Sequence, residues 1–441
     1  MTLPHLILGG GLTGLAAAHF LGGDYHLVER EQRVGGLLRT EPVEGFLFDV
    51  TGHWLHLRDP EIRALVERLM PGGLTEIARV ARIHSHGAYT RYPYQVNTHG
   101  LPPQVVSECV LGFVEATLGE AGRELRGREP RTFAEFILRH LGEGFARHFM
   151  FPYNEKIYTV HPRELTAEWC GRFVPRPTLQ QVVDGALGLG SDRAGYNASF
   201  LYPKQGGIES LARAFRATLE GPVDLGVQPV SIDWRRREVA LSDGRRLGYA
   251  GLLSTINLRE LVGLLAAGSP VPGEVERAAA RLRGTRVTYV NVGARGPGRG
   301  FHWVYFPESG YPFYRVGSFS AAWPALAPPG CQSFYVEFAH RGGLSPRAAE
   351  AQAVEGLVRS GLVERAEQVL FAAAREVADA YVLYDSDWGP SRRTVLEFLE
   401  AAGILTAGRY GRWEYSSMED AILAGREAAA RLRDRARVSA A

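Results

Sequence analysis

The stretch LPHLILGGGLTGLAAAHFLGGDYHLVERE, residues 3–31, has the pattern of a buried strand, a glycine turn, a helix and a second strand. Its glycines Gly9, Gly11 and Gly14 follow the apolar residues 6–8 with the spacing G-x-G-x-x-G. This spacing permits a tight turn, a close approach of the backbone to a pyrophosphate, and contact between helix and strand. The stretch therefore predicts a β-α-β unit with a phosphate-binding turn.

The residues around the glycines indicate what would bind there. A helix over 12–21 would direct its first amides at a pyrophosphate. The second strand ends at Glu29, whose carboxylate can hold a ribose hydroxyl. A glycine-rich turn without a ligand is the alternative, but it accounts for neither the helix nor the acid. We therefore predict a dinucleotide site.

Composition sets limits on the class of protein. The chain has 441 residues, of which 45% are hydrophobic and 22% are charged, as in ordinary soluble globular proteins. Its length predicts two or three domains. The formal net charge of +2 gives no support to a nucleic-acid or membrane-surface partner.

The cysteines and the N-terminal segment bear on the compartment. Cys109, Cys170 and Cys331 are isolated and odd in number, so we expect no disulfide scaffold. The first residues are apolar but lack a basic start, and we interpret them as strand, turn and helix rather than a signal peptide. No uninterrupted apolar run has the length of a membrane span. We expect a cytoplasmic protein.

A second glycine pair narrows the choice of dinucleotide. Gly35 and Gly36, in EREQRVGGLLRT (29–40), come soon after the acid. This arrangement resembles the FAD-binding start of the superfamily of amine oxidases, phytoene desaturases and UDP-galactopyranose mutases, and NAD enzymes do not usually carry the second pair. The resemblance implies FAD as cofactor.

The segment GFLFDVTGHWLH (45–56) carries the resemblance further. It predicts a strand pair that ends at Gly52 and His53. The resemblance implies that Gly52 lies against the flavin ring, with its carbonyl able to accept the N5 proton, and that His53 supports this loop. A purely structural histidine is the alternative for His53.

Two later segments fit the same superfamily. Alternating strands with a hairpin turn at Asp243–Gly244 are predicted for residues 222–256, PVDLGVQPVSIDWRRREVALSDGRRLGYAGLLSTI. The resemblance puts the Val227 backbone beside the adenine. Near the C-terminus a long helix, capped by Ser416 or Ser417, would direct its N-terminus at the flavin C2 carbonyl. An amphipathic terminal helix with ordinary capping is the alternative. The resemblance implies these cofactor contacts: Gly9, Gly11, Leu12, Thr13, Gly14, Glu29, Arg30, Gly35, Gly36, Leu37, Gly52, His53, Val227, Arg409, Tyr415 and Met418.

The middle of the chain predicts a helical region and a second, antiparallel sheet. Apolar residues recur at helical spacing between Pro102 and about Gly190, and strands over 286–293, 301–307, 311–319 and 332–338 suggest an antiparallel sheet. The fold class is α/β: a discontinuous Rossmann-like FAD-binding domain of glutathione-reductase type, a helical domain and an antiparallel-sheet substrate domain. We assign residues 1–88, 200–270 and 390–441 to the first, 101–195 to the second, and 89–100 with 280–389 to the third.

Arg315 raises the question of a second anion site. It follows Tyr311, Pro312, Phe313 and Tyr314, and a charge among aromatic residues is costly unless something pairs with it. Arginine grips a phosphate with two parallel hydrogen bonds. We therefore hypothesise that Arg315 binds a phosphate group of the substrate.

Six polar–aromatic segments together resemble UDP-galactopyranose mutases, especially the eukaryotic-type branch, over nearly the whole chain. The segments are RYPYQVN (91–97), PYNEKIY (152–158), WCGRFV (169–174), YNASFLYPKQGG (196–207), WVYFPESGYPFYR (303–315) and GRYGRWEY (408–415). Taken singly, each could be a turn with aromatic residues. The resemblance implies substrate contacts at Tyr92, Gln95, Asn154, Tyr158, Arg172, Asn197, Tyr305, Arg315, Trp388 and Tyr415, with Arg315, Arg172, His53 and Gly52 as the catalytic groups.

The chain departs from that family at three places. Ala321 and Ala322 stand where the family usually has a tyrosine after the arginine, and Trp388 stands near the next family tyrosine. Tyr158 occupies a position often held by tryptophan. The sugar and the nucleotide therefore stay open.

The resemblance implies a mutase that interconverts the pyranose and furanose forms of a nucleotide sugar, most simply UDP-galactose. N5 of reduced FAD would attack the anomeric carbon and displace UDP, with no net oxidation. NAD(P)H or another reductant would reduce the flavin. An FAD-dependent oxidase or desaturase and a non-catalytic binding protein are the alternatives. The sequence shows no metal-ligand spacing, and an oligomer is compatible with it.

Overall fold

The computed structural model describes residues 2–120, 122–190 and 198–440, and its first sheet is built on the predicted β-α-β unit. The strands are β1 Thr2–Leu8, β2 His26–Glu29, β3 Thr40–Val43, β4 Phe46–Asp49, β5 Leu74–Ala78, β6 Ala81–Ser85, β7 Ala88–Arg91, β8 Ser199–Pro203, β9 Val223–Leu225, β10 Pro229–Asp233, β11 Glu238–Leu241, β12 Arg246–Ser254, β13 Gly284–Arg295, β14 Trp303–Tyr305, β15 Arg315–Gly317, β16 Cys331–His340, β17 Val369–Val382 and β18 Ile404–Thr406.

The helices lie between and beside these strands. They are α1 Leu12–Leu21, α2 Pro60–Leu69, α3 Pro103–Thr117, α4 Arg123–Arg126, α5 Phe133–Phe145, α6 Phe151–Tyr158, α7 Cys170–Phe173, α8 Leu179–Ala186, α9 Glu209–Arg216, α10 Leu258–Gly268, α11 Gly273–Arg281, α12 Phe319–Ala322, α13 Pro346–Arg359, α14 Trp388–Ala401, α15 Gly408–Arg412 and α16 Met418–Ala440.

The first sheet has a parallel core with an antiparallel excursion. Strands β18, β12, β1, β2 and β9 pair in parallel in that order, and α1 and α16 pack together beside them. The first residues of β12 also pair with β11, which pairs with β10, so the predicted excursion and its turn at Gly244 (φ 88°) are confirmed. The α/β fold class is confirmed.

The second sheet has the order β17-β13-β16-β15-β14-β6-β7 and is antiparallel except for the β14–β6 pair. It contains the predicted antiparallel strands. The predicted domain boundary between residues 88 and 89 falls inside β7, which pairs with β6, and β6 pairs with β14. The strand pairing therefore places the start of this sheet at Ala81.

The two faces of the second sheet differ because side chains alternate along each strand. Val304, Val316, Val336 and Val290 are fully buried in a cluster that includes apolar residues of α13. Residues one position away, including Tyr305, Arg315 and Glu337, face the other way, toward the β3–β4 hairpin and the helical region. One face is core, and the other is polar and aromatic.

The predicted helical region is confirmed by α3 to α8. Thr132 caps α5 by accepting a hydrogen bond from the Glu135 amide (3.2 Å), and Thr178 caps α8 with a reciprocal box to Gln181. The three cysteines are free, as the odd count suggested. Within the described residues, no helix combines the length and the apolar character that a membrane crossing requires.

Candidate functional site

The first glycine turn and the second glycine pair form one cradle. The Gly35 amide donates to the Gly10 carbonyl (2.8 Å), and a Cβ on Gly36 would lie 3.1 Å from Gly11 Cα. Gly9 has φ +102°, and a Cβ on Gly14 would lie 2.0 Å from the Gly9 carbonyl oxygen. Side chains at these positions would fill or break the cradle, which accounts for the glycines.

Glu29 lies at the end of β2 beside this cradle. It is buried, and its carboxylate accepts hydrogen bonds from the Gly10 amide (2.6 Å) and the Glu31 amide (2.8 Å). The Val227 amide donates to the Glu29 carbonyl oxygen (3.1 Å), so the predicted adenine-side residue adjoins the predicted ribose-side acid. The structure places these two residues side by side, and their contacts with FAD stay a prediction.

The loop after the β3–β4 hairpin presents Gly52 and His53. Thr51 has φ +58°, a left-handed conformation that is costly for a β-branched residue. His53 Nδ1 donates to the Val50 carbonyl, so Nε2 is the unprotonated nitrogen. The pKa of His53 is lowered to about 4, mainly by burial, and the guanidinium groups of Arg409 and Arg315 act in the same direction. His53 is therefore neutral at pH 7 and lies within electrostatic reach of both arginines.

The N-terminus of α16 lies beside the N-terminus of α1. The Ser417 hydroxyl accepts a hydrogen bond from the Asp420 amide (3.1 Å), and Asp420 accepts one from the Ser417 amide (2.8 Å), which confirms Ser417 as the cap. Met418 is buried in one cluster with Leu12, as expected for two residues of a common cofactor wall.

Arg315 lies in a row of side chains across the second sheet. Tyr305, Arg315 and Glu337 are directly opposite one another on β14, β15 and β16. Arg315 Nη2 lies 2.8 Å from Glu337 Oε1, and Nε donates to Oε2, so the pair is bidentate. Burial acts to lower the pKa of Arg315, but the Glu337 carboxylate outweighs it and raises that pKa.

This ion pair corrects the argument made from the sequence. The buried charge of Arg315 already has a partner in Glu337, which is 1% exposed, so burial alone does not call for a phosphate. The remaining N–H groups of Arg315, two on Nη1 and one on Nη2, have no hydrogen-bond partner among the described residues. Those three donors are what the protein can offer to a ligand.

A continuous wall of aromatic rings connects the predicted substrate residues. Successive ring centroids are 4.7–6.5 Å apart. In order, its members are Tyr92, Tyr305, Tyr153, Tyr314, Tyr381, Tyr158, Trp169, Tyr384 and Trp388. Burial raises the pKa of the tyrosines Tyr92, Tyr305, Tyr153, Tyr314, Tyr158 and Tyr384, so their hydroxyls stay protonated and can donate hydrogen bonds.

Arg409 is the second guanidinium of this wall. It donates to the Ala380 carbonyl and lies over the rings of Tyr415 (5.0 Å) and Tyr381 (5.8 Å). The Tyr415 amide donates to the Tyr384 hydroxyl (2.6 Å). Trp388, Tyr384 and Tyr415 line a cavity of about 290 Å³, so these predicted residues lie together.

Other predicted residues have partners within the protein. The Asn154 side-chain amide donates to the Met150 carbonyl (2.7 Å) one helical turn back, and the Gln95 amide donates to the Pro175 carbonyl (3.2 Å). Arg30 is exposed and lies 3.7 Å from Glu260. Asn197 lies outside the described residues. Arg172 belongs to α7, but its side chain is outside the described part of the structure.

Sequence reasoning missed Glu337, Tyr335, Tyr381 and Arg39. Tyr335 lies two residues before Glu337 on β16 and therefore on the same face of the sheet. A Cβ on Gly317 would lie 1.9 Å from the Tyr335 ring, so that glycine makes room for it. A Cβ on Gly52 would lie 2.3 Å from the Tyr335 hydroxyl. The alternation of side chains along β16 is visible in the sequence, but the residues that lie opposite Tyr335 and Glu337 are not.

The residues present fit a flavin dinucleotide. A Cβ on Gly9, Gly14, Gly35 or Gly36 would lie 3.1 Å or less from another protein atom. At Gly11 the nearest such atom would be 4.0 Å away, which leaves space for a pyrophosphate to approach. Arg39 Nε and Arg409 Nε are buried and have no hydrogen-bond partner among the described residues, as expected of donors that await an anionic group. The fold and this site define a flavoprotein whose cofactor is FAD.

Comparison with protein families agrees with this. Residues 12–433 match the family described as flavin containing amine oxidoreductase. The chain belongs to this family, which makes it a flavin enzyme of the amine oxidase superfamily.

Individual relatives point to different activities. A reduced UDP-galactopyranose mutase superposes with a TM-score of 0.90 at 24% identity, over 98% of this chain and 94% of that chain. A provisionally assigned protoporphyrinogen oxidase from Exiguobacterium sp. 255-15 gives 0.74 at 17% identity, over 98% and 99%. Coproporphyrinogen III oxidase of Mycobacterium leprae is 33% identical over 159 residues, which are 32% of this chain and about a third (34%) of that protein's length.

Proposed function

We propose that this protein is a FAD-dependent mutase that interconverts the pyranose and furanose forms of a nucleotide-activated hexose, with UDP-galactose as the first substrate to test. The observation that carries the proposal is the placement of two guanidinium groups, those of Arg315 and Arg409, against the Tyr314–Tyr381 ring pair. Arg315 and Arg409 both lower the pKa of His53, and the Tyr314–Tyr381 ring pair lies between them.

Two cations in an aromatic-walled site favour an anionic ligand. A diphosphate offers oxygens to the three N–H groups of Arg315 that Glu337 leaves unused. A cationic amine has no lone pair to accept hydrogen bonds from the three unused N–H groups of Arg315, whose charge Glu337 already compensates. An apolar polyene would leave the donors of the wall unpaired.

The side chains around that position fit a sugar as well. Protonated tyrosine hydroxyls, among them Tyr92 and Tyr305, can donate hydrogen bonds to sugar or phosphate oxygens. Glu337 keeps the Arg315 guanidinium in one orientation, and donors fixed before the ligand arrives stabilise a departing diphosphate. The neutral His53 presents Nε2 as an acceptor near Gly52.

FAD in its reduced form would supply the electron-rich group that reacts with the anomeric carbon. Arg172, Asn197 and Trp388 complete the proposed substrate set, and NAD(P)H or another reductant is the proposed electron source. We also propose a cytoplasmic location.

An oxidase that acts on an anionic macrocycle is the second candidate. The match to coproporphyrinogen III oxidase favours it, and guanidinium groups bind carboxylates as readily as phosphates. Such an enzyme consumes O₂ and releases H₂O₂, whereas the mutase changes no net oxidation state.

The experiment incubates the FAD-loaded protein with dithionite, without oxygen, and with a panel of UDP-, GDP- and dTDP-hexoses, and reads products by chromatography and mass spectrometry. We expect a new product of unchanged mass from UDP-galactose, formed only when the flavin is reduced. The oxidase is tested in a separate aerobic reaction without dithionite. H₂O₂ release from a porphyrinogen in that reaction, without any equal-mass sugar product in the first, would establish the oxidase instead.

Two arginine variants test whether the activity depends on the proposed substrate site. Arg315→Ala should keep its FAD spectrum and lose at least about 100-fold in kcat/KM. Arg286→Ala is the matched control, because Arg286 forms an exposed ion pair with Glu376 on the same sheet. It should stay within about twofold of the unmodified protein. Equal activity of both variants would show that the substrate binds elsewhere.

A further inference from the structure

Lys156 makes a three-fold contact that the proposed chemistry does not use. Its Nζ donates to the carbonyl oxygens of Phe306 (2.7 Å), Glu308 and Phe313 (3.2 Å). These carbonyls lie on both sides of the bend between β14 and β15. Lys156 has no salt bridge among the described residues, so backbone carbonyls are the direct partners of its ammonium.

The residue type is informative in this chain. Lys156 and Lys204 are the two lysines among 50 basic residues, and all the others are arginine. A general preference for arginine therefore predicts arginine at position 156. An ammonium has three donors that diverge from one atom, which matches three converging carbonyls, whereas a guanidinium is planar and larger.

The contact joins two elements that carry predicted substrate residues. Tyr305 directly precedes Phe306, and Arg315 follows Phe313 by two residues. On the other side, α6 carries Tyr153 one turn before Lys156, and the Tyr153 and Tyr305 rings are 5.1 Å apart. The Lys156 ammonium and the Tyr153–Tyr305 ring pair thus both connect α6 to the β14–β15 hairpin.

We propose that Lys156 is a positioning residue: it fixes the β14–β15 hairpin against α6 and thereby sets where Tyr305 and Arg315 stand relative to the side chains of α6. This inference rests on the proposed function for its effect on the substrate. The hairpin also packs into the apolar cluster with α13, in which Phe306 and Phe313 are fully buried. Hydrogen bonds hold its bend as well. They include the Tyr311 amide to the Glu308 carbonyl (3.2 Å), the His86 amide to the Glu308 carboxylate (2.9 Å) and the Arg359 guanidinium to the Gly310 carbonyl.

Burial is consistent with this role. It lowers the pKa of Lys156 to about 7, while the Glu308 carboxylate raises that pKa. The carbonyl contacts thus hold a partly desolvated group, and removing the ammonium leaves three carbonyl oxygens without their donor.

The test compares Lys156→Met with Lys204→Met in the FAD-loaded protein. Lys204 is the matched control, because its Nζ donates to a single carbonyl, that of Gly72 (2.9 Å), at an exposed position. Hydrogen exchange is measured on peptides that cover residues 305–317, and the binding constant for UDP is measured as the probe of the site. We expect Lys156→Met to exchange at least about tenfold faster in this segment and to bind UDP at least about tenfold more weakly, with both values unchanged in Lys204→Met.

The outcomes separate this inference from the proposed function. If the unmodified protein does not bind UDP, the proposed function fails, and the exchange comparison alone decides the role of Lys156. Unchanged exchange in Lys156→Met, faster exchange spread over the whole chain, or faster local exchange with unchanged UDP binding would each overturn the inference. If Lys156→Met does not fold, Lys156→Gln, which keeps two N–H donors, should show intermediate values in both measurements.

Discussion

The guanidinium of Arg315 and the carboxylate of Glu337 are cross-strand neighbours on β15 and β16, and they form a bidentate ion pair with Nη2 2.8 Å from Oε1. Glu337 is 1% exposed, whereas Arg315 is 18% exposed. The carboxylate is therefore the more deeply buried partner and depends on the arginine for its charge compensation. The arginine keeps the more open side, with three N–H groups for a ligand.

This asymmetry predicts how the pair responds to mutation. Arg315→Ala leaves the Glu337 carboxylate buried without its counter-ion, so the free energy of unfolding should fall by about 3 kcal/mol. In Arg315→Ala/Glu337→Gln the charge is absent, and most of that loss should be recovered. Chemical denaturation of the three proteins measures both effects.

The double variant also shows whether Arg315→Ala loses activity because the protein is less stable or because the substrate contacts are missing. It should regain stability but not mutase activity, because the phosphate-facing donors are still missing. Recovery of activity together with stability would mean that Arg315 acts only through the fold. No recovery of stability would mean that Glu337 is not the charge that Arg315 compensates.

The sequence could predict the dinucleotide unit because local rules decide it. The spacing of Gly9, Gly11 and Gly14, the apolar strand before them and Glu29 after them are all within one β-α-β unit. The cap at Thr132 is a local feature in the same sense, since it depends on Glu135 three positions away. The β10–β12 excursion followed from alternation and an Asp-Gly turn.

The contacts of the proposed substrate site were harder to predict from the sequence, because the residues that contact one another there are distant along the chain. Arg315 and Glu337 are 22 residues apart, and only the register of β15 and β16 makes them neighbours. The pairing of β6 with β14 joins residues more than 200 positions apart. A single sequence offers no local signal for such contacts, so Tyr335 and Tyr381 could not be separated from ordinary strand aromatics.

The glycine cradle predicts a sharp difference between two Gly→Ala changes. Gly14→Ala would put a Cβ 2.0 Å from the Gly9 carbonyl oxygen, whereas a Cβ on Gly263, within α10, meets no atom within 4 Å. Gly14→Ala should therefore lose FAD, seen as loss of flavin absorbance after purification. Gly263→Ala should keep FAD and gain up to about 1 kcal/mol in stability, because alanine favours a helix. Full flavin content in Gly14→Ala would refute the assignment of the cradle.

Glu29 should contribute to FAD affinity through hydrogen bonds that only acceptor oxygens can make. Its two carboxylate oxygens accept from the Gly10 and Glu31 amides, and the ribose hydroxyl is the proposed third donor. Glu29→Gln replaces one acceptor with an NH₂ group, so the dissociation constant for FAD should rise about tenfold, equivalent to about 1.4 kcal/mol. Titration of apoprotein with FAD, followed by flavin fluorescence, measures it. Glu44→Gln, at an exposed turn, is the control; equal affinities in the two variants would exclude Glu29 from the site.

His302 should make the protein less stable in acid. It is buried, and its Nδ1 accepts a hydrogen bond from the Val80 amide (2.9 Å), a contact that the protonated ring cannot make. Burial lowers the pKa of His302 from 6.5 to about 4. Between these values the unfolded chain binds a proton that the folded protein does not, so the stability from His302 is present above pH 6.5 and is lost as the pH falls toward 4. The difference corresponds to about 3 kcal/mol.

His302→Asn isolates this contribution, because the Asn side-chain oxygen can accept from the Val80 amide without titrating. The variant should have a shallower fall in the free energy of unfolding between pH 6.5 and 4 than the unmodified protein, whatever its stability at pH 7. Chemical denaturation at several pH values gives both curves. His53 and His56, whose pKa values burial also lowers to about 4, contribute equally to the two proteins and cancel in the comparison. His99→Asn, at an exposed position, should keep the original slope, and parallel curves for the unmodified protein and His302→Asn would show that His302 does not stay neutral for the reason given.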